Sequence, residues 1–543
     1  FLLAIRNYHH CVCAPRVCLL LQVVEPIVMS SSIPLVPEGE EKSLGEVYRA
    51  IGFGRYQCQL FILCGLGFMA DSIEVGVISF LESEAEKEWD LHGFEKNALA
   101  VVVFLGEFIG GFLWGPLADR VGRKGAFLLS NATLLLFSCL SAAAPSFWSL
   151  VALRGLVGIS IGGIIVPFDN LTESVPEEHK NVLGYAMEFW WTAGTLYVTG
   201  LAAAVLPSTW GSWRGFVLLT TAPILLVCLG GLVIEESPMW LQDIGCNEEA
   251  MEVLQRVARL NRRDISGLAL APYEREAEPS FVELFSSFRR RTTALSLIWL
   301  LGLFGYYGAS LANTFIFDEG NGVDYGEIIF ASSGEVIGVI FAIVAGRKLG
   351  AVQTMGTSYF ITALASLSIV ATSLLRGKVP AEVSKALVLI LAFFLRLGGM
   401  AGSACIWVVT PAAYPTYVRS TAHSVLFSAG RVGGLLATLW PSSTPVALIM
   451  SVYALANGVT SALSFYEGRH LQHAGVFASF ASDLDATDLD RRSRSAAARS
   501  ARNSTDASRL SLFRSGRMSR PSHPSITPGA REVSGFQTEQ NIP

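Results

Sequence analysis

Long apolar runs dominate the chain, and short polar stretches separate them. A helix needs about 20 apolar residues to cross a bilayer. Runs of that length recur near 57–81, 97–117, 124–144, 148–170, 183–205, 214–234, 292–316, 326–346, 352–374, 384–410, 420–440 and 443–466. They form two sets of six around a polar stretch, 235–291, with an amphipathic helical pattern at Asn247–Arg259 and the basic cluster Arg289–Arg291. The pattern predicts an all-α membrane protein with twelve transmembrane helices in two pseudo-symmetric six-helix halves. The expected organisation is a cytoplasmic segment over 1–56, a first half over 57–234, a central cytoplasmic loop over 235–291, a second half over 292–466 and a tail over 467–543. The tail is rich in Ser and Arg and reads as disordered, either regulated by phosphorylation or simply solubilising.

Composition agrees with a bilayer-embedded chain. Of 543 residues, 51% are hydrophobic and 16% charged, against about 25% charged in soluble domains. Mean hydropathy is +0.46. The net charge of −5 leaves no nucleic-acid footprint. The nine cysteines show no metal-ligand spacing and no disulfide framework, so they read as small buried hydrophobes. Residues 1–28 start with Phe, and their apolar run Val17–Val24 is too short to span. Met29 opens a polar stretch, so 1–28 reads as a gene-model extension, with a retained targeting segment as the alternative.

Lys and Arg set the expected orientation. With the N-terminus inside, the inner loops carry Arg120, Arg123, Lys124, Arg347, Lys348 and Arg419, while the first outer loop is acidic (Glu82, Glu84, Glu86, Glu88, Asp90, Glu95). That is the positive-inside bias and puts both termini in the cytoplasm. The stretch Gly115-Pro-Leu-Ala-Asp-Arg-Val-Gly-Arg-Lys124 joins the second and third runs. It resembles the signature loop of the major facilitator superfamily, matching at Gly115, Leu117, Asp119, Arg120, Gly122, Arg123 and Lys124. Glycines permit the tight turn, Asp119 can cap the next helix and pair with arginine, and the resemblance implies a gating role for Gly115, Asp119, Arg120, Gly122, Arg123, Lys124 and Arg419. The matching second-half loop, Gly346-Arg347-Lys348-Leu349-Gly350, lacks the acid.

Charges inside apolar runs are the candidate chemistry, because each costs about 2.5–3.5 kcal/mol at mid-membrane and is usually paired or functional. Asp71 and Glu74 lie three apart on one helix face. Asp71 is expected to face Arg154, either as a proton-sensitive pair that biases alternating access or as a static tie between helices. Glu74 reads equally as a substrate contact or a solvated group. Arg154, Gly158 and Gly162 share a face, with small residues admitting a close helix neighbour. Glu188 lies beside Trp191, Thr192 and Thr195, and the seventh run places Tyr306, Ser310 and Asn313 in register next to Tyr307. An acid among aromatic rings suits a positive nitrogen. Glu335 is a further proton-coupling candidate, Glu107 reads as packing or hydrogen bonding, and Arg396 and Arg431 as buried charges for an anion or for backbone carbonyls.

From about 44 to 470 these features resemble the synaptic-vesicle-2-related and organic-ion-transporter branch of the superfamily. The resemblance rests on Ala70-Asp71 with Glu74, Glu88-Trp89-Asp90-Leu91, Arg154-Gly155-Leu156-Val157-Gly158, Glu188 with Trp190, Tyr306-Tyr307-Gly308, Thr410-Pro411 and Ala429-Gly430-Arg431-Val432-Gly433. Ala412 stands where the branch usually has Glu, which removes an expected contact of Arg419. The resemblance implies a monomeric secondary transporter of the symporter kind, moving a small organic ion or metabolite with protons across a plasma or vesicle membrane. The rival is a non-transporting sensor or scaffold of the same fold. No nucleotide-binding loop is present, so ATP-driven pumping is not indicated; neither enzyme chemistry nor a cofactor is expected.

Overall fold

Helices that bury polar residues inward and expose leucines outward build the molecule. The computed structural model describes residues 40–93, 95–208, 211–272, 281–316, 324–375, 378–440 and 444–473, without the side chains of 165, 177, 178, 311–316, 416, 417 and 471–473. The expectations for 1–28 and for the tail beyond 473 fall outside the described residues. Large apolar side chains such as Leu226, Leu229, Val233, Phe360 and Leu364 are exposed, while Asp71, Glu107, Arg154 and Arg431 are buried. That inversion of the soluble pattern is what a lipid surround requires.

The first half starts with the short helix α1 (Leu44–Ile51), whose Ser43 and Glu46 form a capping box. Then follow α2 (Arg55–Trp89), α3 (Glu95–Val121), α4 (Arg123–Ala142), α5 (Phe147–Ile161), α6 (Ile165–Glu173), α7 (Glu177–Ala186), α8 (Glu188–Val205), α9 (Trp213–Thr220) and α10 (Ala222–Gly231). The fourth span is α5 and α6 joined by a 3₁₀ turn at Gly162–Ile164; the fifth is α7 and α8; the sixth is α9 and α10. The connecting stretch holds α11 (Pro238–Asp243), α12 (Asn247–Leu260) and α13 (Phe281–Phe285). Strand β1 (Glu40–Lys42) pairs in parallel with β2 (Leu268–Leu270). The second half contains α14 (Arg289–Ile316), α15 (Tyr325–Leu349), α16 (Ala351–Leu374), α17 (Ala381–Ala412), α18 (Thr416–Ala437) and α19 (Val446–His473).

Among the described residues ten helices are long and apolar enough to cross a membrane. The α7–α8 pair and α18 complete the twelve. These two spans are less apolar because they carry Glu188 and Arg431, both central to the site below.

The halves repeat one another in backbone detail. Gly122 opens α4 at φ 89°, ψ 160°, and Gly350 opens α16 at φ 89°, ψ 153°. A side chain in that region is strained, so both loops need glycine there. The second loop has lost its acid but kept its turn. Helix crossings repeat as well. A Cβ on Gly106 or Gly110 of α3 would strike the backbone of α5, and one on Gly334 or Gly338 of α15 would strike the backbone of α17. We expect Gly122→Ala to lower the melting temperature by an amount equivalent to about 1–3 kcal/mol. Gly200→Ala, whose Cβ meets open space at ordinary φ, should leave it unchanged. Equal melting of the two variants in a thermal unfolding series would contradict this.

Candidate functional site

The buried charges concentrate where the halves meet. Away from the signature-loop face, the fully buried charged residues among the described residues are five acids (Asp71, Glu74, Glu107, Glu188, Glu335) and three arginines (Arg154, Arg396, Arg431). Each half holds one pair of its own. In the first, Arg154 of α5 pairs with Glu74 of α2, whose Oε1 also accepts from Ser138 Oγ at 2.8 Å. In the second, Arg396 of α17 lies 2.8 Å from Glu335 of α15. Tyr306 donates to the same Glu335 oxygen at 2.8 Å, and Arg396 donates to Ser310 Oγ at 2.5 Å.

A third assembly crosses between halves. Arg431 of α18 pairs with Asp71 of α2, lies 2.8 Å from Glu107 Oε2 of α3 and donates to the Tyr307 hydroxyl of α14 at 2.5 Å. Its guanidinium also stacks 4.4 Å from the Phe427 ring centre. The expected partner of Asp71, Arg154, is therefore engaged by Glu74 instead. Positions three apart on a helix differ by about 60° in direction and 4.5 Å in height. That is enough to aim Asp71 at α18 and Glu74 at α5. Glu107, read from sequence as a packing or hydrogen-bonding residue, belongs to this cross-half assembly.

Glu188 differs from the other four acids. Its Oε1 accepts from Ser403 Oγ of α17 at 3.1 Å, and among the described residues no Lys, Arg or His pairs with it. Trp191 stands 6.0 Å from the Tyr306 ring and 6.1 Å from the Tyr307 ring. Phe68 and Trp407 continue this aromatic wall at 5.3 Å. Glu188, Ser403, Trp191, Tyr306, Tyr307 and Arg431 all face one central cavity with space for about one water molecule. Thr192 and Thr195 spend their hydroxyls on helix carbonyls. Asn313 lies in α14, but its side chain is outside the described residues. A larger cavity lined by Ser72, Thr195, Ser310 and Arg396 adjoins the centre.

Among the described residues, polar contacts cross the seam towards both ends. The signature loop bonds mainly within its own half. Asp119 accepts from Arg123 at 2.7 Å, Arg123 lies 3.6 Å from Glu173, and Trp240 donates to the Asp119 carbonyl at 2.9 Å. Glu236 accepts from the Lys124 amide at 3.0 Å and the Ser237 amide at 2.9 Å; burial nonetheless pushes its carboxyl above the ordinary range. Arg120 is exposed. Arg419 makes no ion pair among the described residues. The polar link to the second half is instead Asp169 of α6, 3.3 Å from Nδ1 of His423 in α18. Nothing in the sequence pattern marked His423, which is 1% exposed among Phe168, Trp407 and Trp299. Gly115 abuts Ser424 of the same helix. On the opposite face Asn97 donates to the carbonyls of Thr438 at 2.8 Å and Trp440 at 3.2 Å.

Two six-helix halves closed around a charged, aromatic centre define a membrane transporter of the major facilitator superfamily. The chain belongs to the sugar (and other) transporter family, whose sequence profile matches residues 54–454. It is 29% identical over 441 residues to the synaptic vesicle 2-related protein of Rattus norvegicus, covering 77% of this chain and 78% of that one. It is 25% identical over 489 residues to organic cation/carnitine transporter 7 of Arabidopsis thaliana, covering 79% and 95%. Among solved structures, the proton:xylose symporter XylE superposes with a TM-score of 0.60 at 16% identity, over 76% of this chain and 95% of that one. This last likeness concerns the fold.

The Asp169–His423 contact generates a test of closure. Removing a hydrogen bond to a charged group costs about 1.5–3 kcal/mol. His423→Ala should therefore raise the modification rate of buried Cys405 by a thiol reagent roughly tenfold or more, read by peptide mass spectrometry. An unchanged rate would remove His423 from the closure of this face.

Proposed function

We propose that the chain is a secondary active transporter that carries a small organic cation by alternating access and couples this movement to protons. The observation that carries the reading is Glu188, buried at 1% exposure, held by one serine and facing aromatic rings. A buried carboxylate without a counter-charge is expensive. A positive nitrogen supplies that charge, and ring faces add about 0.5–2 kcal/mol. The Arabidopsis relative, named for organic cations and carnitine, supports this substrate class. The family description also admits sugars, but no amide side chain lines the central cavity among the described residues.

In this reading Glu188, Trp191, Tyr306 and Tyr307 hold the substrate, Asn313 of α14 remains a candidate, and Glu74 is committed to Arg154. Asp71 carries the coupling proton through its pair with Arg431, while Arg154 and Glu335 hold their halves' internal pairs. The loop Gly115–Lys124 steadies one face, with Arg419 at the same end of α18. The Lys and Arg bias supports cytoplasmic termini, and the vesicle-protein relatives support a vesicle membrane.

A thermal-shift screen of quaternary ammonium ions, carboxylates and sugars tests the substrate class. Cations should stabilise the native protein, and Glu188→Gln should weaken that binding roughly tenfold or more. A sugar that stabilises both proteins equally overturns the cation reading, and no response to any solute favours the non-transporting sensor or scaffold. In proteoliposomes, uptake of the stabilising cation should follow an imposed pH gradient and lose that dependence in Asp71→Asn. Intact pH coupling in this variant would end the proton role of Asp71.

A further inference from the structure

One guanidinium faces two carboxylates at the centre of the seam. Arg431 engages Asp71 through both terminal nitrogens, whereas it touches Glu107 only at Oε2. Glu107 is 0% exposed, and both its carboxyl oxygens are buried with no hydrogen-bond partner. The charged and titratable groups around this assembly are already engaged. On α2, Glu74 is held by Arg154 of α5. On α8, Glu188 is held by Ser403. On α14, Tyr307 accepts from Arg431 itself. If both acids were ionised, one negative charge would remain uncompensated in the interior, and two like charges sharing a site do not both ionise readily.

We propose that Asp71, Glu107 and Arg431 form a one-proton site shared by the two halves, with the proton on Glu107 while the halves are closed. The inference rests on the proton-coupling reading above and gives it a second residue. The bound complement is one carboxylate, one carboxylic acid and one guanidinium, with no net charge. The proton sits on Glu107, the acid that Arg431 approaches at one oxygen only. Asp71 and Glu107 belong to the first half and Arg431 to the second. Parting the halves takes the cation from both acids at once and exposes them to water. Loss of the proton in the closed state leaves like charges facing each other, so rising pH favours parting and falling pH favours closure.

Infrared pH-difference spectroscopy on the full chain in liposomes, without any solute, reads the proton directly. In a Glu188→Gln background, which removes the other unpaired buried acid, the protein should show a protonated-carboxyl band at neutral pH that disappears on alkalinisation and is absent once Glu107→Gln is added. In Asp71→Asn on that background, Glu107 becomes the sole acid on Arg431 and ionises, so the band should vanish although Glu107 is intact. This second variant keeps the test decisive if Glu107→Gln does not fold. A band that persists in Glu107→Gln, or one that survives in Asp71→Asn, overturns the shared site. If the band behaves as expected while uptake ignores a pH gradient, the coupling reading fails and the proton site stands. Uptake that follows the gradient without a Glu107 band fails the site alone.

Discussion

Arg431 ties the halves together through charge, and the arrangement of the centre depends on it. A buried guanidinium costs several kcal/mol to desolvate, and removing one partner of such an assembly costs about 3–5 kcal/mol. Such a cation is tolerated only because Asp71 and Glu107 approach it from the other half while Tyr307 and Phe427 enclose it. The remainder of the seam is largely rings and small residues, which pack without fixing a unique register. The ionic contact therefore does more to specify how the halves meet than to stabilise either one.

The other two arginines behave differently. Arg154 with Glu74 and Arg396 with Glu335 are completed inside their own halves. They travel with those halves during any rearrangement and need no new partner. Among the described residues, Arg431 carries the ion pairs across the seam at this depth, and Glu188 adds a hydrogen bond from Ser403. The chemistry that must change during a transport cycle is thereby confined to a few groups around one small cavity.

The architecture was legible in the chain because spanning length and loop chemistry are local properties. Twelve apolar runs and the Gly115–Lys124 loop need no knowledge of neighbours. The two least apolar spans were still recognisable, since aromatic and small residues frame Glu188 and Arg431. Helical spacing also identified the faces bearing Asp71, Glu188 and Tyr306. It could not name their partners. A face is a property of one helix, whereas the Asp71–Arg431 pair brings together residues 360 positions apart. Away from the signature-loop face, burial leaves five acids against three arginines among the described residues, so sharing follows from which charges are buried, and packing decides which acids share. His423 gave no signal, because a lone histidine in an apolar helix is unremarkable until Asp169 is placed beside it. The second-half loop lacks the acid in its sequence, and the structure adds that Gly350 keeps the backbone turn.

The glycine crossings within each half have a mechanical consequence. Where Gly106 and Gly110 meet α5, and Gly334 and Gly338 meet α17, backbone rests on backbone. No rotamers lie between the helices to absorb a displacement, so those contacts are stiff. Compliance is left to the seam, where rings such as Trp191, Tyr306 and Trp407 can turn. Each half then behaves as a lever with its fulcrum near Arg431. A small tilt that loosens the Asp169–His423 end is carried along rigid helices to the Asn97–Thr438 end, with little lost to internal bending.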